Sequence, residues 1–251
     1  MKLAGRSGRH RPSVAGGRGR RFLVTVTGLF LVAGAAWLAV NSALFSLRWI
    51  RVSGNERMSV AEVERVAGVE MGQNLLRLVT GSLRAHLESD PRIARATVRR
   101  NLPSTLSIEI KERVPVAAVR VSNRGDRWAT LATDGTVLQV GSARPALPWL
   151  RGAVRSVAPG EVLSGLRLPL GVLAILPPSL DVVDARLLSG GVAFSVRGGF
   201  AVRYGDLQAW RSKNGVMTSL LRWAAVHGVG SGTIDVRLPE APVLERGAPL
   251  T

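Results

Sequence analysis

FSLRWIRVSGNERMSVAEV, residues 45–63, and PRIARATVRRNLPSTLSIEIKERVPVA, residues 91–117, decide how this chain folds. In the first, Leu47 to Val52 interleaves apolar and basic residues, the mark of a half-buried strand. Ser53-Gly54-Asn55 supplies a turn. Ser59 then stands as a helix N-cap with Glu62 three residues on, a capping box, and Val60, Val63, Val66 and Ala67 form one apolar stripe that Gly68 closes. A second helix is predicted from Ser82, with Leu83 and Leu87 on one face and Asp90-Pro91 stopping it. In the second quoted stretch, Ala94, Ala96 and Val98 alternate with Arg95, Thr97 and Arg99. Leu106, Ile108 and Ile110 alternate with Ser107, Glu109 and Lys111, and Asn101-Leu102-Pro103-Ser104 turns between the two strands. The order β-α-α-β-β places two helices over one face of a small sheet.

Upstream, the 19 residues from Phe22 to Val40 carry no charge, and apolar character runs on to Phe45. About 20 such residues cross a hydrocarbon core of about 30 Å as a helix. The tail before them holds Lys2, Arg6, Arg9, Arg11, Arg18, Arg20 and Arg21 and no acid, a large part of the chain's formal charge of +17. By the positive-inside rule the tail stays in the cytoplasm and the chain from about residue 46 is exported, a single-pass type II arrangement. A basic tail beside a span is drawn to membrane lipid, so no nucleic-acid partner is expected. Ala33-Gly34-Ala35 has the small residues of a signal-peptide cleavage site. Signal peptides, however, carry apolar runs of only about 7–15 residues, and the length here favours an uncleaved anchor. Of the 251 residues 46% are hydrophobic, enough for a buried core, and no cysteine is present, which excludes disulfides, thiolate metal sites and a cysteine nucleophile.

Downstream, Val116 to Val121 reads as a strand leaving the first module. Trp128 to Thr133 and Thr136 to Val140 flank the hairpin signal Asp134-Gly135. Pro145, Pro148 and Trp149 make Ala143 to Arg151 a loop or crossing segment, not a central strand. Gly165 to Leu176 is leucine-rich and helical, with Pro169 near its first turn. Val182 to Leu188, Val192 to Arg197 and Phe200 to Arg203 form a meander. Asp206 caps a helix to about His227 whose buried side is expected at Leu207, Trp210, Val216, Leu220, Trp223 and Ala224. Thr233 to Leu238 is a further strand, and Pro242 to Arg246 a short last one.

Four features recur in order behind the span: Val52-x-Gly54-Asn55, Gly72-x-Asn74-Leu75, Arg99-x-x-x-Pro103 and Glu112-Arg113-x-Pro115-x-Ala117. With that spacing the stretch resembles the polypeptide-transport-associated (POTRA) domain of the FtsQ/DivIB family. Asp134-Gly135-x-Val137, Leu147-Pro148, Lys213 and Ile234-Asp235-Val236-Arg237 resemble the family's β-domain, and the resemblance runs from about residue 20 to 245. The last region, with Pro239, Pro242 and Pro249, is shorter and richer in proline than the family pattern. The expected fold is α+β: a basic tail (1–21), one transmembrane helix (22–45), a β-α-α-β-β POTRA domain (46–114), a mixed or antiparallel sheet domain with flanking helices (115–246) and a short tail (247–251).

No chemistry stands out. The three lysines, Lys2, Lys111 and Lys213, make no Ser-x-x-Lys, which excludes a penicillin-binding transpeptidase. No nucleophile elbow, phosphate-binding loop or His-Glu-x-x-His is present. His10, His86 and His227 have no partner in sequence that would orient a catalytic or ligating ring, and Glu62 with Glu64 and Asp181 with Asp184 are spaced wrongly for paired carboxylates. No catalytic, cofactor or metal site is therefore expected. Arg95 and Arg99, with Arg92 and Arg100, form a solvated face or meet an acidic partner or lipid headgroups.

The resemblance implies a non-enzymatic scaffold of the plasma (inner) membrane at the division septum. It would join FtsB and FtsL and, through them, FtsW and FtsI. The alternative class is a membrane-anchored envelope enzyme acting on the cell wall. The partner site is expected where a last strand leaves a backbone edge unpaired, at Arg237, Leu238, Pro242, Val243, Leu244 and Glu245. There Leu238 or Val243 offers apolar contact and Arg237 a charge, unless Arg237 is spent on a neighbouring acid.

Overall fold

The uncharged run becomes a helix of 24 residues, α1 (Gly17–Val40), followed by one 3-10 turn at Ala43–Phe45. The protein is seen here in a computed structural model that describes residues 17–122 and 127–247, with side chains from Phe22 onward. The apolar segment Phe22–Phe45 is long enough to cross a membrane, and none of it is buried in protein. The elements that follow are β1 (Trp49–Ser53), α2 (Val60–Ala67), α3 (Thr80–Ser89), β2 (Ile93–Asn101), β3 (Thr105–Glu112), β4 (Pro115–Val121), β5 (Arg127–Ala132) and β6 (Val137–Gly141). They continue with β7 (Trp149–Val154), α4 (Arg167–Ile175), β8 (Val182–Leu188), β9 (Gly191–Val196), β10 (Phe200–Gly205), α5 (Trp210–Val226), β11 (Gly232–Asp235) and β12 (Val243–Arg246). The fold is α+β, with one three-stranded sheet in the order β1-β3-β2 and one nine-stranded sheet in the order β12-β11-β10-β9-β8-β7-β4-β5-β6.

By backbone contacts the chain forms two compact units. One gathers the described residues up to Arg51 with Val69–Val79 and Arg99–Ser107. The other gathers Val52–Gly68, Thr80–Val98 and the described residues from Ile108 onward. In the second unit the capping box forms as its residues predict: the Glu62 N–H donates to Ser59 Oγ (3.2 Å) and the Ser59 N–H donates to the Glu62 carboxylate (2.9 Å). Gly68 ends α2 in the left-handed region (φ 68°), where a side chain would be strained. Val63, Leu83, Leu87, Ile93, Ile108 and Ile110 are buried. Val60, expected in the apolar stripe, is instead exposed. Ala94 is exposed too, because Ile93 and Ala96 both turn inward and break the two-residue alternation; the Ala96 N–H donates to the Glu88 carboxylate instead (3.1 Å).

The Glu112-Arg113 pair has a structural purpose. The Glu112 carboxylate accepts the successive backbone N–H groups of Glu56 (2.9 Å), Arg57 (3.0 and 3.1 Å) and Met58 (2.9 Å), which shapes the turn before α2. Arg113 donates to the carbonyls of Pro91 and Ile93 (2.9 and 2.8 Å) and to Asp134 of the β5–β6 hairpin (2.9 Å). At Asp134, burial pushes the carboxyl up, but hydrogen bonds from Thr136 and Arg113 outweigh it and hold the group below the usual carboxylate range.

In the large sheet, β4, β5 and β6 form one antiparallel meander and β8, β9 and β10 another, joined by parallel β7; α5 carries the chain from β10 to parallel β11. Val119 and Leu131 from the sheet, Leu170 and Val172 from α4, and Met217 and Ala224 from α5 share one core. Three expectations fail here. The segment containing Trp149 is a central strand, β7, because Pro145 and Pro148 lie before it and leave its N–H groups free to pair. Asp206 does not cap α5, since its carboxylate takes the Gln208 N–H (3.0 Å) and Lys213 Nζ (2.8 Å); the helix starts after Ala209, which has φ 48°. Leu207 and Trp223, expected buried, are both well exposed.

Candidate partner-binding edge

β12 lies at the end of the nine-stranded sheet and pairs antiparallel with β11, Val243 opposite Asp235, Leu244 opposite Ile234, Glu245 opposite Thr233 and Arg246 opposite Gly232. Four residues of alternating direction suffice to dock it. Leu244 points inward and packs against the core beside buried Ile234, while Val243 and Glu245 are exposed. Gly232 permits the close approach, since a β-carbon there would lie 2.4 Å from the Glu245 carbonyl oxygen. Among the described residues no strand lies beyond β12, so the backbone groups on its outer side face solvent.

The six residues singled out from sequence do not all act alike. Val243, Leu244 and Glu245 form the strand itself, and exposed Pro242 introduces it. Leu238 is exposed in the turn between the strands, where its carbonyl accepts the Ala241 N–H (3.1 Å). Arg237 is engaged already: its side chain donates to both oxygens of Asp235 (2.7–3.0 Å) and its backbone N–H to one of them (3.1 Å). Burial raises the Asp235 carboxyl, but the Arg237 hydrogen bonds and the charges of Arg237 and Arg203 outweigh that and keep it below its ordinary range. The predicted strand to Leu238 therefore stops at Asp235, because the Asp235–Arg237 turn bends the chain out of the sheet.

Sequence reasoning missed the flank of this edge. Arg246, on the same side of β12 as Leu244, lies over the Trp223 ring of α5 (5.9 Å), and the His227 ring stacks on that tryptophan at 4.2 Å while its Nδ1 meets the Trp223 carbonyl at 2.8 Å. Exposed Val226 completes an apolar and basic shoulder beside the strand. Trp223 and His227 one helical turn apart were visible in the sequence; that β12 would run beside them was not.

Two buried ionisable groups elsewhere have structural partners. Asp184 is held by Arg151 (2.8 and 3.2 Å). Lys213, 3% exposed, donates to the Asp206 carboxylate and carbonyl (2.8 and 3.2 Å) and lies 5.4 Å from the Tyr204 ring centre. Asn214 next to it accepts from the Tyr204 hydroxyl (3.0 Å) and donates to the Ile175 carbonyl (2.7 Å), tying α5 to α4. Lys213 thus braces the helix that carries Trp223.

Comparison with known proteins bears on the chain as a whole. The family model of the FtsQ-type POTRA domain matches residues 45–113. The cell division protein FtsQ of Mycolicibacterium smegmatis is 29% identical over 231 residues, covering 88% of this chain and 66% of that protein. Its namesake in Streptomyces venezuelae is 27% identical over 250 residues, 92% of this chain and 89% of the other. That of Mycobacterium leprae is 29% identical over 222 residues, 87% and 62% respectively.

Proposed function

For a chain that belongs with the FtsQ cell division proteins over most of its length and carries their POTRA domain, we propose a non-enzymatic scaffold of the divisome. It stands in the plasma (inner) membrane at the septum, with the basic tail in the cytoplasm and the chain beyond α1 outside. The open β12 edge is the observation that carries the reading. A strand of FtsB, arriving with FtsL, adds to β12 and satisfies its outer N–H and C=O groups. Val243 and Glu245 on one side and Arg246 with Trp223 on the other offer the side-chain contacts. Leu238 adds an apolar contact from the turn. Through FtsB and FtsL the chain helps recruit FtsW and FtsI and so bears on septal peptidoglycan synthesis.

The test is a pull-down of the full-length protein with FtsB. Arg246→Pro removes one outward N–H and sets a fixed φ at the end of the edge strand, and Leu238→Glu places a charge on the contact surface. Both should abolish binding and leave the melting temperature nearly unchanged. Full-affinity binding by a chain truncated after Pro239 would move the site away from β12. Hydrolysis of purified peptidoglycan by the pure protein would favour the envelope-enzyme class instead.

A further inference from the structure

The residues where the apolar run ends are fastened to two loops of their own compact unit. The Leu75 N–H donates to the Phe45 carbonyl (2.7 Å), the Leu47 N–H to the Gln73 carbonyl (2.8 Å) and the Gly72 N–H to the Leu47 carbonyl (2.9 Å). Asn74 Nδ2 donates to the carbonyl of Val40, the last residue of α1 (2.7 Å), and Arg77 donates to the Asn41 side chain. The turn between β2 and β3 is tied in the same way, since the Arg48 and Trp49 N–H groups both donate to the Ser104 carbonyl (2.9 and 3.2 Å). Both loops thus stay within one hydrogen bond of residues 40–49.

That stretch is where a bilayer would end. The 19 uncharged residues Phe22–Val40 make a helix of about 28 Å, against a hydrocarbon core of about 30 Å and an interfacial layer of roughly 5–8 Å beyond it. The 69–79 loop, bonded to Val40 itself, starts from that layer, and the β2–β3 turn is tied to the chain eight and nine residues further on. Their side chains suit it: Trp49 (67% exposed), Met71 (60%) and Leu102 (58%) offer apolar surface that the described residues leave open. The charges suit it as well. Among the described side chains of this unit, Arg48, Arg51, Arg77, Arg99 and Arg100 stand against one acid, Glu70.

We propose that the 69–79 loop and the β2–β3 turn form a lipid-contact surface on the leaflet that α1 leaves. Leu102 and Met71 enter the interfacial layer beside Trp49, and Arg48, Arg77, Arg99 and Arg100 meet the phosphates of anionic lipid. The surface rests on α1 crossing the bilayer, and it fixes the angle at which this unit stands on the membrane.

The chain has no cysteine of its own, so single cysteines can replace Leu31, Met71 or Leu102 in the full-length protein. Each is labelled with a polarity-sensitive fluorophore and placed in nanodiscs of phosphatidylcholine and phosphatidylglycerol that carry nitroxide lipids. The Leu31 label is expected to be quenched by a nitroxide deep in the acyl chain, and the Met71 and Leu102 labels by one near the headgroup. Arg99→Ser with Arg100→Ser should lower the ratio of lipid-contacting to water-exposed Leu102 label by roughly tenfold or more in anionic discs, with little change in discs of phosphatidylcholine alone. Met71 and Leu102 labels in water while Leu31 remains quenched would overturn the surface and leave the anchor standing. A Leu31 label in water would remove both. Unchanged quenching at Leu102 in the double-arginine variant would overturn the part given to the arginines.

Discussion

Glu112 holds three successive backbone N–H groups with one carboxylate. Glu112→Ala frees all three, and the expected cost is about 1–2 kcal/mol, because a half-buried turn regains only part of its hydration. Glu112→Gln keeps one acceptor oxygen and should cost less; urea unfolding of the pair separates the two. Fully buried Val63 and Ile108 make a stronger case. Truncating either to Ala should cost about 2–4 kcal/mol through lost burial and the cavity left behind. Exposed Arg95 should cost under about 0.5 kcal/mol when changed to Ala. At Gly54, with φ 78°, an added β-carbon would sit 1.9 Å from the Ile110 carbonyl oxygen, which explains why the turn after β1 requires glycine there.

At the scale of elements, β12 depends on its neighbour. Gly232→Val should push β12 off β11 through the contact at the Glu245 carbonyl and weaken FtsB capture more than it lowers the melting temperature, as hydrogen exchange of residues 243–246 would report. Much of this architecture was legible beforehand. The capping box, the Asp134-Gly135 hairpin and the meander of β8, β9 and β10 are local patterns, and each forms where its residues predict. What stayed hidden depends on partners distant in sequence. β7 pairs in parallel with β4 and β8, and nothing near Trp149 announces either. Asp206 carries a good cap residue's chemistry, but Lys213 outcompetes the helix end for its carboxylate. At the candidate edge the strand residues could be read, and the Trp223–His227–Arg246 shoulder could not, because it arises only when α5 and β12 lie side by side.

For the whole molecule, the tail predicts the orientation. A reporter fused after Thr251 should be active only outside the cytoplasm, since all seven basic residues of the tail precede the uncharged span. Stability should be level across neutral pH and fall at both ends. Asp134, Asp206 and Asp235 have depressed folded-state pKa values; the hydrogen bond from Lys213 is the main cause at Asp206, while hydrogen bonds override burial at the other two. Carboxyls of this kind contribute fully above the unfolded value of about 4, and the contribution is lost as pH falls through the lower folded values. Asp206→Asn should therefore flatten part of the acid limb in thermal melts. Burial, with the charge of Asp206, pushes Tyr204 up to about 12. Its contribution is present below about 10 and is lost as pH rises toward the folded value. Tyr204→Phe should remove that alkaline loss while weakening the Asn214 tie.

The two ends of the large sheet are unequal. At β6 the Val137 N–H donates to the Glu161 carbonyl (2.8 Å), the Val137 carbonyl takes the Gly160 N–H (2.8 Å) and the Val140 carbonyl takes Arg127 (3.1 Å), so a passing segment and a side chain close that end. Strand-by-strand polymer growth requires each new subunit to present a fresh template after it has docked. A copy that joins through β12 presents at its other end, among the described residues, an edge already occupied at Val137 and Val140. Pairing of two copies in this way terminates at a dimer and never seeds a fibre, and a partner that occupies the open end caps the molecule outright. Even at high density on a membrane, strand-by-strand growth through this sheet is therefore disfavoured.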